Sequence, residues 1–278
     1  MTQFDSSTLL DDLTFAFLDV ETTGLSPRYG DRVCEIAVVR SRADLIQATY
    51  ATLVNPERSI SPGAASVNGL TDDDVRDAPR FAEIADTVLA TLRDAVLVCH
   101  NAPFDLGFVG SEMLRAGRAF RAPVAIDTLL LARQCYRFRS NSLSNVARAL
   151  EISTPDAHRA LGDAMTTRAV VNRFIEDFWK QGKRTLGDVL ALQGNETFVV
   201  TTLVVDPLPP EIAEALSSGK RLFLEYVDAR GEKSERWVTP REVIGVGDTL
   251  TLVAHCHLRD ERRQFRLDRI VKMEIEHQ

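Results

Sequence analysis

Four acidic residues and one histidine in the first two thirds of the chain have the types and the spacing to do chemistry. They are Asp19, Glu21, Asp105, His158 and Asp163. Each lies where a predicted strand or loop gives way to the next element, a position that holds a side chain firmly and leaves it open to a substrate. Clustered carboxylates suit hard divalent cations, and pairs of such cations suit the cleavage of phosphodiesters. The pattern therefore predicts a metal-dependent nuclease.

The spacing within the motifs indicates how these side chains are arranged. Asp19 and Glu21 are two residues apart on a predicted strand, so both project from the same face. Two carboxylates held that close repel each other unless a cation lies between them. His158 stands five residues before Asp163, in the loop or first turn that enters a long predicted helix. An acidic strand end on the surface would explain the first pair alone, but the later residues favour a metal site.

The elements that must position these residues follow from the apolar runs and the turn residues. Strands are predicted over residues 14–20, 32–40, 45–54, 96–99 and 124–126. Helices are predicted over residues 71–75, 81–93, 104–116, 128–136, 142–150 and 159–179. Strands that come first in series, and then alternate with helices, predict an α/β fold with a mixed sheet and helices packed on its faces.

The composition changes after this region. Residues 180–184 are polar, residues 185–193 predict a short helix, and an apolar β-like run lies between residues 196 and 206. A helix over residues 211–217 and short alternating strands from Arg221 onward predict a small all-β module. We therefore expect one domain over residues 1–180, a linker with a short helix over 181–208, and a β module over 209–278.

The bulk properties limit the function classes. A chain of 278 residues suffices for one large or two smaller domains. A net charge of -7 argues against a protein that coats nucleic acid, yet a site built from carboxylates is itself acidic. The four cysteines stand far apart, which favours free thiols in a reducing cytosol. Because no secretory signal and no apolar run of membrane-spanning length is found, we expect a soluble cytoplasmic protein.

The three motifs together resemble those of the DEDDh branch of the DEDD superfamily of 3′–5′ exonucleases. Within this branch, the motifs are most similar in style to those of the proofreading epsilon subunit of bacterial DNA polymerase III. The resemblance extends over residues 14–178. Residues 66–71 resemble the family's VHGIT-like stretch, with Asn68 in place of histidine. The spacing of His158 and Asp163 selects the DEDDh branch. The resemblance implies an RNase H-like mixed five-stranded sheet flanked by helices.

The resemblance also implies roles for the motif residues. The ligands of two divalent cations, Mg²⁺ or Mn²⁺, would be Asp19, Glu21, Asp105 and Asp163. In such sites one ion lowers the pKa of a bound water, and the other stabilises the charge on the leaving oxygen. His158 is the candidate general base, because an imidazole titrates near neutral pH.

Contacts to the terminal nucleotide are implied as well. The substrate-binding candidates are Thr22, Thr23, Gly24, Leu25, Phe104, His100 and Asn101. The first three would bring backbone and hydroxyl groups to the nucleotide, Leu25 would wedge against its base, and stacking on Phe104 would tolerate any base. His100 and Asn101 are also expected to shape the loop that presents Asp105. Phe104 fits an ordinary core position equally well, and we interpret Asp127 as a helix cap rather than a ligand.

The last 70 residues resemble a WYL domain, a small SH3-like β module of bacterial regulators and defence proteins. Residues 222–226, 236–240 and 264–270 carry the resemblance, while the strand that would hold the three residues that name the domain reads Leu250-Thr251-Leu252. Candidates for contacts with nucleic acid or a nucleotide are Arg236, Arg263, Arg266 and Arg269. A solvated face of ion pairs explains the same basic residues equally well.

These observations leave three hypotheses. The first is an exonuclease that degrades DNA, preferably single-stranded, from its 3′ end to nucleoside 5′-monophosphates, in repair or proofreading. The second keeps the chemistry but takes RNA or oligoribonucleotides, because acceptance of a 2′-hydroxyl depends on pocket geometry. The third is a non-catalytic sensor of nucleic acid or nucleotides. The partners expected are single-stranded DNA or DNA 3′ ends, with RNA and a DNA polymerase or repair complex as alternatives, and no membrane.

Overall fold

The chain divides into two compact units. The computed structural model describes residues 4–120, 124–154, 158–194, 209–228, 231–246 and 249–276. The first unit comprises Met1–Thr23, Arg32–Ile60 and Ala65–Leu203, and the second comprises Gly24–Asp31, Ser61–Ala64 and Val204–Gln278. The domain boundaries expected at residues 180 and 209 stay a prediction.

The first unit is built on a five-stranded mixed sheet with the strand order β3-β2-β1-β4-β5. Its strands are β1 (Thr14–Thr22), β2 (Val33–Arg42), β3 (Leu45–Leu53), β4 (Val96–Cys99) and β5 (Ala125–Asp127). The first three strands are antiparallel neighbours, whereas β4 pairs parallel with β1 and β5 parallel with β4. A two-residue turn joins β2 and β3, whereas a longer loop over residues 23–32 joins β1 and β2, and a helical connection joins the parallel strands β4 and β5. The predicted α/β fold with a mixed sheet is confirmed.

Helices cover both faces of this sheet. In chain order, the helices up to residue 192 are α1 (Pro62–Asn68), α2 (Asp72–Val75), α3 (Phe81–Leu92), α4 (Ala102–Arg115), α5 (Thr128–Cys135), α6 (Leu143–Ala149), α7 (Ala160–Lys180) and α8 (Leu186–Leu192), and α3 to α8 contribute to the two cores of the sheet. Successive residues of β1 point to opposite faces, so Phe17 joins the core that contains Phe174 of α7, and Leu18 joins the core that contains Phe108 of α4. None of the helices in the described ranges is long and apolar enough to span a membrane.

The helix starts follow the expected capping chemistry. Thr71 and Asp74 form a capping box at the start of α2, and the side chain of Asp127 accepts hydrogen bonds at the start of α5. The cap at Asp127 was predicted. Helix α1 was not, because its sequence Pro-Gly-Ala-Ala-Ser-Val-Asn has no apolar period. The apolar run predicted before residue 206 lies outside the described residues.

The second unit contains a small antiparallel sheet with the order β10-β6-β7-β8-β9. A helix precedes it, and the elements are α9 (Pro210–Ser218), β6 (Leu222–Val227), β7 (Lys233–Val246), β8 (Thr249–Cys256), β9 (Glu261–Arg266) and β10 (Ile270–Ile275). Ile212 of α9 packs with Leu224, Val238 and Phe265 in one apolar core. The predicted all-β module with a preceding helix is confirmed.

Candidate active site

Asp19 and Glu21 lie near the end of the central strand β1, on the face that is covered farther along by α7. Phe15 and Phe17 precede them on the same face and belong to the core shared with α7. The two carboxylates therefore continue an apolar row, and both are partly buried. The predicted common face is confirmed, because residues two apart on a strand project in one direction.

Asp163, in the first turn of α7, joins these two carboxylates. One carboxylate oxygen from each of Asp19, Glu21 and Asp163 lies within 4.8 Å of the others. The packing of α7 on β1 thus brings Asp163 to Asp19, although the two residues stand at opposite ends of a 145-residue stretch of the chain. Three converging carboxylate oxygens are the kind of donor set that Mg²⁺ or Mn²⁺ takes in proteins.

The electrostatics of this cluster fit a cation. Burial, followed by repulsion from Asp105, raises the pKa of Asp19 well above its ordinary value. Burial and then the charge of Asp163 raise the pKa of Glu21 to about 7. Burial likewise raises the pKa of Asp163. A divalent cation would supply the charge that lets all three groups ionise together, so this donor set fits a metal.

Asp105 lies beside β1, but it is not one of the three residues whose carboxylate oxygens converge within 4.8 Å. It lies in the first turn of α4, only 3% of it is exposed, and its Oδ1 accepts a hydrogen bond of 3.1 Å from the backbone N–H of Val20. Val20 stands between Asp19 and Glu21 in the chain, so Asp105 is fixed beside them. Burial raises the pKa of Asp105 well above its ordinary value.

Asp127 anchors the start of α4. Its carboxylate accepts hydrogen bonds from the backbone N–H groups of Asn101 (3.0 Å) and Ala102 (3.1 Å), and also from the first turn of α5. The interpretation of Asp127 as a helix cap is confirmed, and the same carboxylate also positions the segment that leads to Asp105. Buried carboxylates that accept several N–H groups hold neighbouring backbone in place.

His158 is exposed just before α7 and within the same motif as Asp163. Its backbone N–H donates a hydrogen bond of 3.3 Å to Oδ2 of Asp163. Its φ of 65° lies in the left-handed region, which few residues other than glycine adopt. The position of the His158 ring therefore depends on the surrounding residues that hold this backbone conformation.

Glu35 and Arg159 also belong to this neighbourhood, and the sequence did not reveal them. Glu35 is paired with Glu21 in the register of β1 and β2, and its carboxylate accepts hydrogen bonds from Arg159, the residue next to His158. A lone glutamate in the otherwise apolar run of β2 was the available signal. A buried charge needs a partner, but the sequence does not say which one.

The candidate substrate contacts from residues 22–25 have different surroundings. Thr22 and Thr23 are buried, whereas 54% of Leu25 is exposed. A Cβ added to Gly24 would clash with the carboxylate of Asp31, so a larger residue here would displace that side chain. Contacts of these four residues with a nucleotide stay predictions.

The candidates around Asp105 are held by contacts within the protein. The ring nitrogens of His100 are hydrogen bonded to Oγ1 of Thr128 (2.8 Å) and to the carbonyl of Asn141 (2.9 Å), and Asn101 has a left-handed φ of 82°. Both residues therefore shape the loop before α4. Phe104 is partly buried and packs against Phe108 at 4.9 Å between ring centroids. A role in substrate binding stays a prediction for all three.

Two of the four arginines predicted to contact nucleic acid lie together in the second unit. Arg236 and Arg263 line a cavity of about 510 Å³ whose wall also includes Tyr226 and Phe265. The guanidinium of Arg236 lies 5.7 Å from the Phe265 ring and donates to the Ser234 hydroxyl. The other two arginines are not part of this wall. Arg266 is instead bound by both oxygens of Asp268, and Arg269 is half-buried.

Two family models match the chain. Residues 16–171 match the Exonuclease family, and residues 207–275 match the WYL domain. The first match covers more than half of the chain and contains all five residues that the sequence singled out for chemistry. Both resemblances are thereby confirmed.

Curated relatives and solved structures agree with the first match. The DNA polymerase III subunit epsilon-like protein of Rhodobacter capsulatus is 38% identical over 190 residues, which are 66% of this chain and 27% of that protein. The PolC-type DNA polymerase III of Thermotoga maritima is 36% identical over 190 residues, 68% of this chain and 14% of that protein. The chain thus spans less than a third of the length of these relatives. E. coli Exonuclease I in complex with a dT13 oligonucleotide shares the fold, with a TM-score of 0.57, 19% identity and coverage of 87% of this chain and 55% of that one.

Proposed function

Because this chain belongs to the exonuclease family, we propose that it hydrolyses the terminal phosphodiester bond at the 3′ end of DNA. The products would be nucleoside 5′-monophosphates, and single-stranded ends would be preferred. The observation that carries the proposal is the convergence of Asp19, Glu21 and Asp163 within 4.8 Å, with Asp105 fixed beside them. Burial and mutual repulsion of these carboxylates destabilise the folded protein unless cations bind to them.

The four carboxylates would hold two divalent cations, Mg²⁺ or Mn²⁺. When bound, such ions supply Lewis acidity, lower the pKa of a water and stabilise charge on the leaving oxygen. The fold would hold the oxygen atoms of these carboxylates in place before the substrate binds. Asp105 is held by its bond to Val20, and Asp163 by its position in the first turn of α7.

His158 would take the proton from the attacking water. Its side chain is exposed next to Asp163, so it is open to solvent and to a substrate phosphate. General base catalysis by a positioned imidazole contributes about 10²- to 10⁴-fold to the rate. Contacts from Thr22, Thr23, Gly24, Leu25 and Phe104 would orient the terminal nucleotide.

We further propose that residues 209–278 form a separate module that engages nucleic acid. Arg236 and Arg263 would bind phosphate, because they line one cavity beside the partly buried ring of Tyr226, which suits a base. Arg236 donates to the Ser234 hydroxyl and lies over the Phe265 ring, and within the described residues it forms no ion pair with a carboxylate. Contacts of Arg266 would compete with its bond to Asp268. The polymerase names of the relatives make a polymerase or repair assembly the proposed context.

Digestion of end-labelled strands tests the proposed reaction. With Mg²⁺ or Mn²⁺, we expect 5′-labelled single-stranded DNA to yield a ladder that shortens from the 3′ end, and 3′-labelled DNA to release labelled mononucleotide at once. EDTA should stop both reactions, because the carboxylates need the cations. Faster digestion of matched RNA would move the assignment to an RNA exonuclease, and release of the 5′ label first would contradict the direction.

Strand binding by the second module gives a separate prediction. Replacing Arg236 and Arg263 together with alanine should weaken binding of single-stranded DNA about 10-fold and lower the salt dependence, log Kd against log salt, by about 1. Fluorescence anisotropy in EDTA measures this without cleavage. The control is Lys220→Ala with Lys272→Ala, which removes two charges from surface ion pairs of the same unit. Equal loss in both double variants would mean that net charge, and not the cavity, attracts the strand.

A further inference from the structure

Glu35 is a buried carboxylate on β2 that no metal-binding role explains. It is paired with Glu21 across β1 and β2, on the same face of the sheet, and only 7% of its side chain is exposed. A fifth acid beside four others raises the repulsion that the folded protein must bear. The carboxylate of Glu35 must therefore make interactions that offset this repulsion.

These interactions are visible in its contacts with the start of α7. Arg159 donates three hydrogen bonds to the carboxylate of Glu35, from Nη2 to Oε1 at 2.7 Å and from Nε to Oε2 at 3.0 Å and to Oε1 at 3.2 Å. The backbone N–H of Ala160, the first residue of α7, donates to Oε2 at 3.1 Å. Arg159 makes no capping bond of its own, so Glu35 caps this helix from a neighbouring strand.

The same helix start carries the proposed general base and one proposed metal ligand. The backbone N–H of Asp163 donates to the carbonyl of Arg159 at 3.0 Å, and Asp163 accepts from His158 at 3.3 Å. His158 has the left-handed φ of 65°, a conformation that persists only when its surroundings hold it. A loose helix start would therefore let the His158 ring leave its place.

We infer that Glu35 and Arg159 are positioning residues, which fix the first turn of α7 on the sheet and thereby place His158 for proton transfer. The inference rests on the proposed function where it concerns His158, but the clamp itself is a property of the fold. Neither side chain touches the reacting atoms in this scheme.

Hydrogen–deuterium exchange of the full chain tests the clamp without any activity. In Glu35→Gln, the weakened cap should let amides of residues 160–164 exchange about 10-fold faster than in the native protein. The matched control is Glu112→Gln, because Glu112 is also buried and is also bound by two nitrogens of one arginine, Arg32, at 2.6 and 2.9 Å. It should leave exchange in this segment unchanged. Native exchange in Glu35→Gln would overturn the inference.

A double-mutant cycle tests whether the clamp acts through His158. Glu35→Gln should lower kcat about 10- to 100-fold, as outer-shell partners of an active site do, with KM changed less than about 3-fold. In the His158→Ala background the same change should cost less than about 3-fold, because its target is gone. Equal losses in both backgrounds would show that Glu35 acts on the metal ligands or the fold instead.

Arg159→Lys covers the case in which Glu35→Gln does not fold. Lysine keeps the charge but cannot donate two parallel hydrogen bonds, so exchange in residues 160–164 should rise and kcat should fall by a smaller factor. Unchanged exchange and kcat in this variant would count against the clamp. If the native protein cuts no strand, the proposed function fails, and the exchange comparison still decides whether Glu35 and Arg159 hold the start of α7.

Discussion

Asp19→Asn is expected to lose hydrolysis by about 10³-fold or more, because a bound cation contributes several kcal/mol to transition-state stabilisation and the variant removes a central ligand. Burial, and then the charges of Asp105, Asp163 and Glu21, raise the pKa of Asp19, so its carboxylate interacts with the other three. Asparagine has the same shape, so the effect measures charge and not volume. Single-turnover cleavage of labelled single-stranded DNA gives the rate.

The same variant should be more stable than the native protein when metal is absent. The folded chain bears the repulsion between Asp19 and its neighbours, whereas the unfolded chain does not. Removing the charge relieves that repulsion, so urea unfolding in EDTA should have a higher midpoint for Asp19→Asn. In saturating Mg²⁺ the order should reverse, because the native protein gains binding free energy that the variant lacks.

Asp127→Asn is the matched control for stability. Asp127 is also a buried aspartate in the same unit, but it is satisfied by backbone N–H groups from two helix starts. An amide presents only one acceptor oxygen, so this variant should be less stable with and without Mg²⁺. A stabilised Asp127→Asn, or an Asp19→Asn that is destabilised in EDTA, would contradict the assignment of Asp19 to a cluster of mutually repelling ligands.

The sequence allowed the central part of the site to be predicted because its signals are local. The period of two in a strand places Asp19 and Glu21 on one face whatever the rest of the chain does. The motif that contains His158 and Asp163 marks the start of one helix, and the apolar runs predict the strands on either side. A prediction that depends on one element alone was confirmed, as the cap at Asp127 shows.

The parts that the sequence did not reveal depend on contacts between distant segments. Glu35 and Arg159 are 124 residues apart, and their bond exists only because α7 crosses the sheet at β2. His100 finds one of its two partners in the carbonyl of Asn141, 41 residues away. A buried polar residue predicts that a partner exists, but strand register and helix packing decide which residue it is.

The stability of the metal-free protein is expected to fall as the pH rises from about 4.5 to about 7. In the folded state burial and neighbouring charges raise the pKa of Glu21 from 4.5 to about 7. Between these values the folded chain binds more protons than the unfolded chain, so the free energy of unfolding decreases with pH. Glu21 alone should account for about 3 kcal/mol, and Asp19 and Asp163 act in the same direction.

Mg²⁺ should reverse this dependence. The cation competes with protons for the same oxygens, so its stabilising effect grows as the pH rises and its binding near pH 7 releases protons. Urea unfolding at several pH values, in EDTA and in Mg²⁺, measures both slopes. Carboxyl groups whose pKa is lowered by capping, such as Asp74 and Asp188, titrate below this range and do not obscure it.

Glu21→Gln isolates the contribution of one ligand. Without the ionisable group, the metal-free variant should lose most of the pH dependence of the unfolding free energy that Glu21 contributes. At about pH 8, Mg²⁺ should stabilise the variant far less than it stabilises the native protein. A metal-free native protein whose stability is flat or rises between pH 5 and 7 would mean that Glu21 is not held among other carboxylates. In that case the carboxylates would not repel one another in the folded chain, and the metal site proposed from the convergence of Asp19, Glu21 and Asp163 would have no energetic basis.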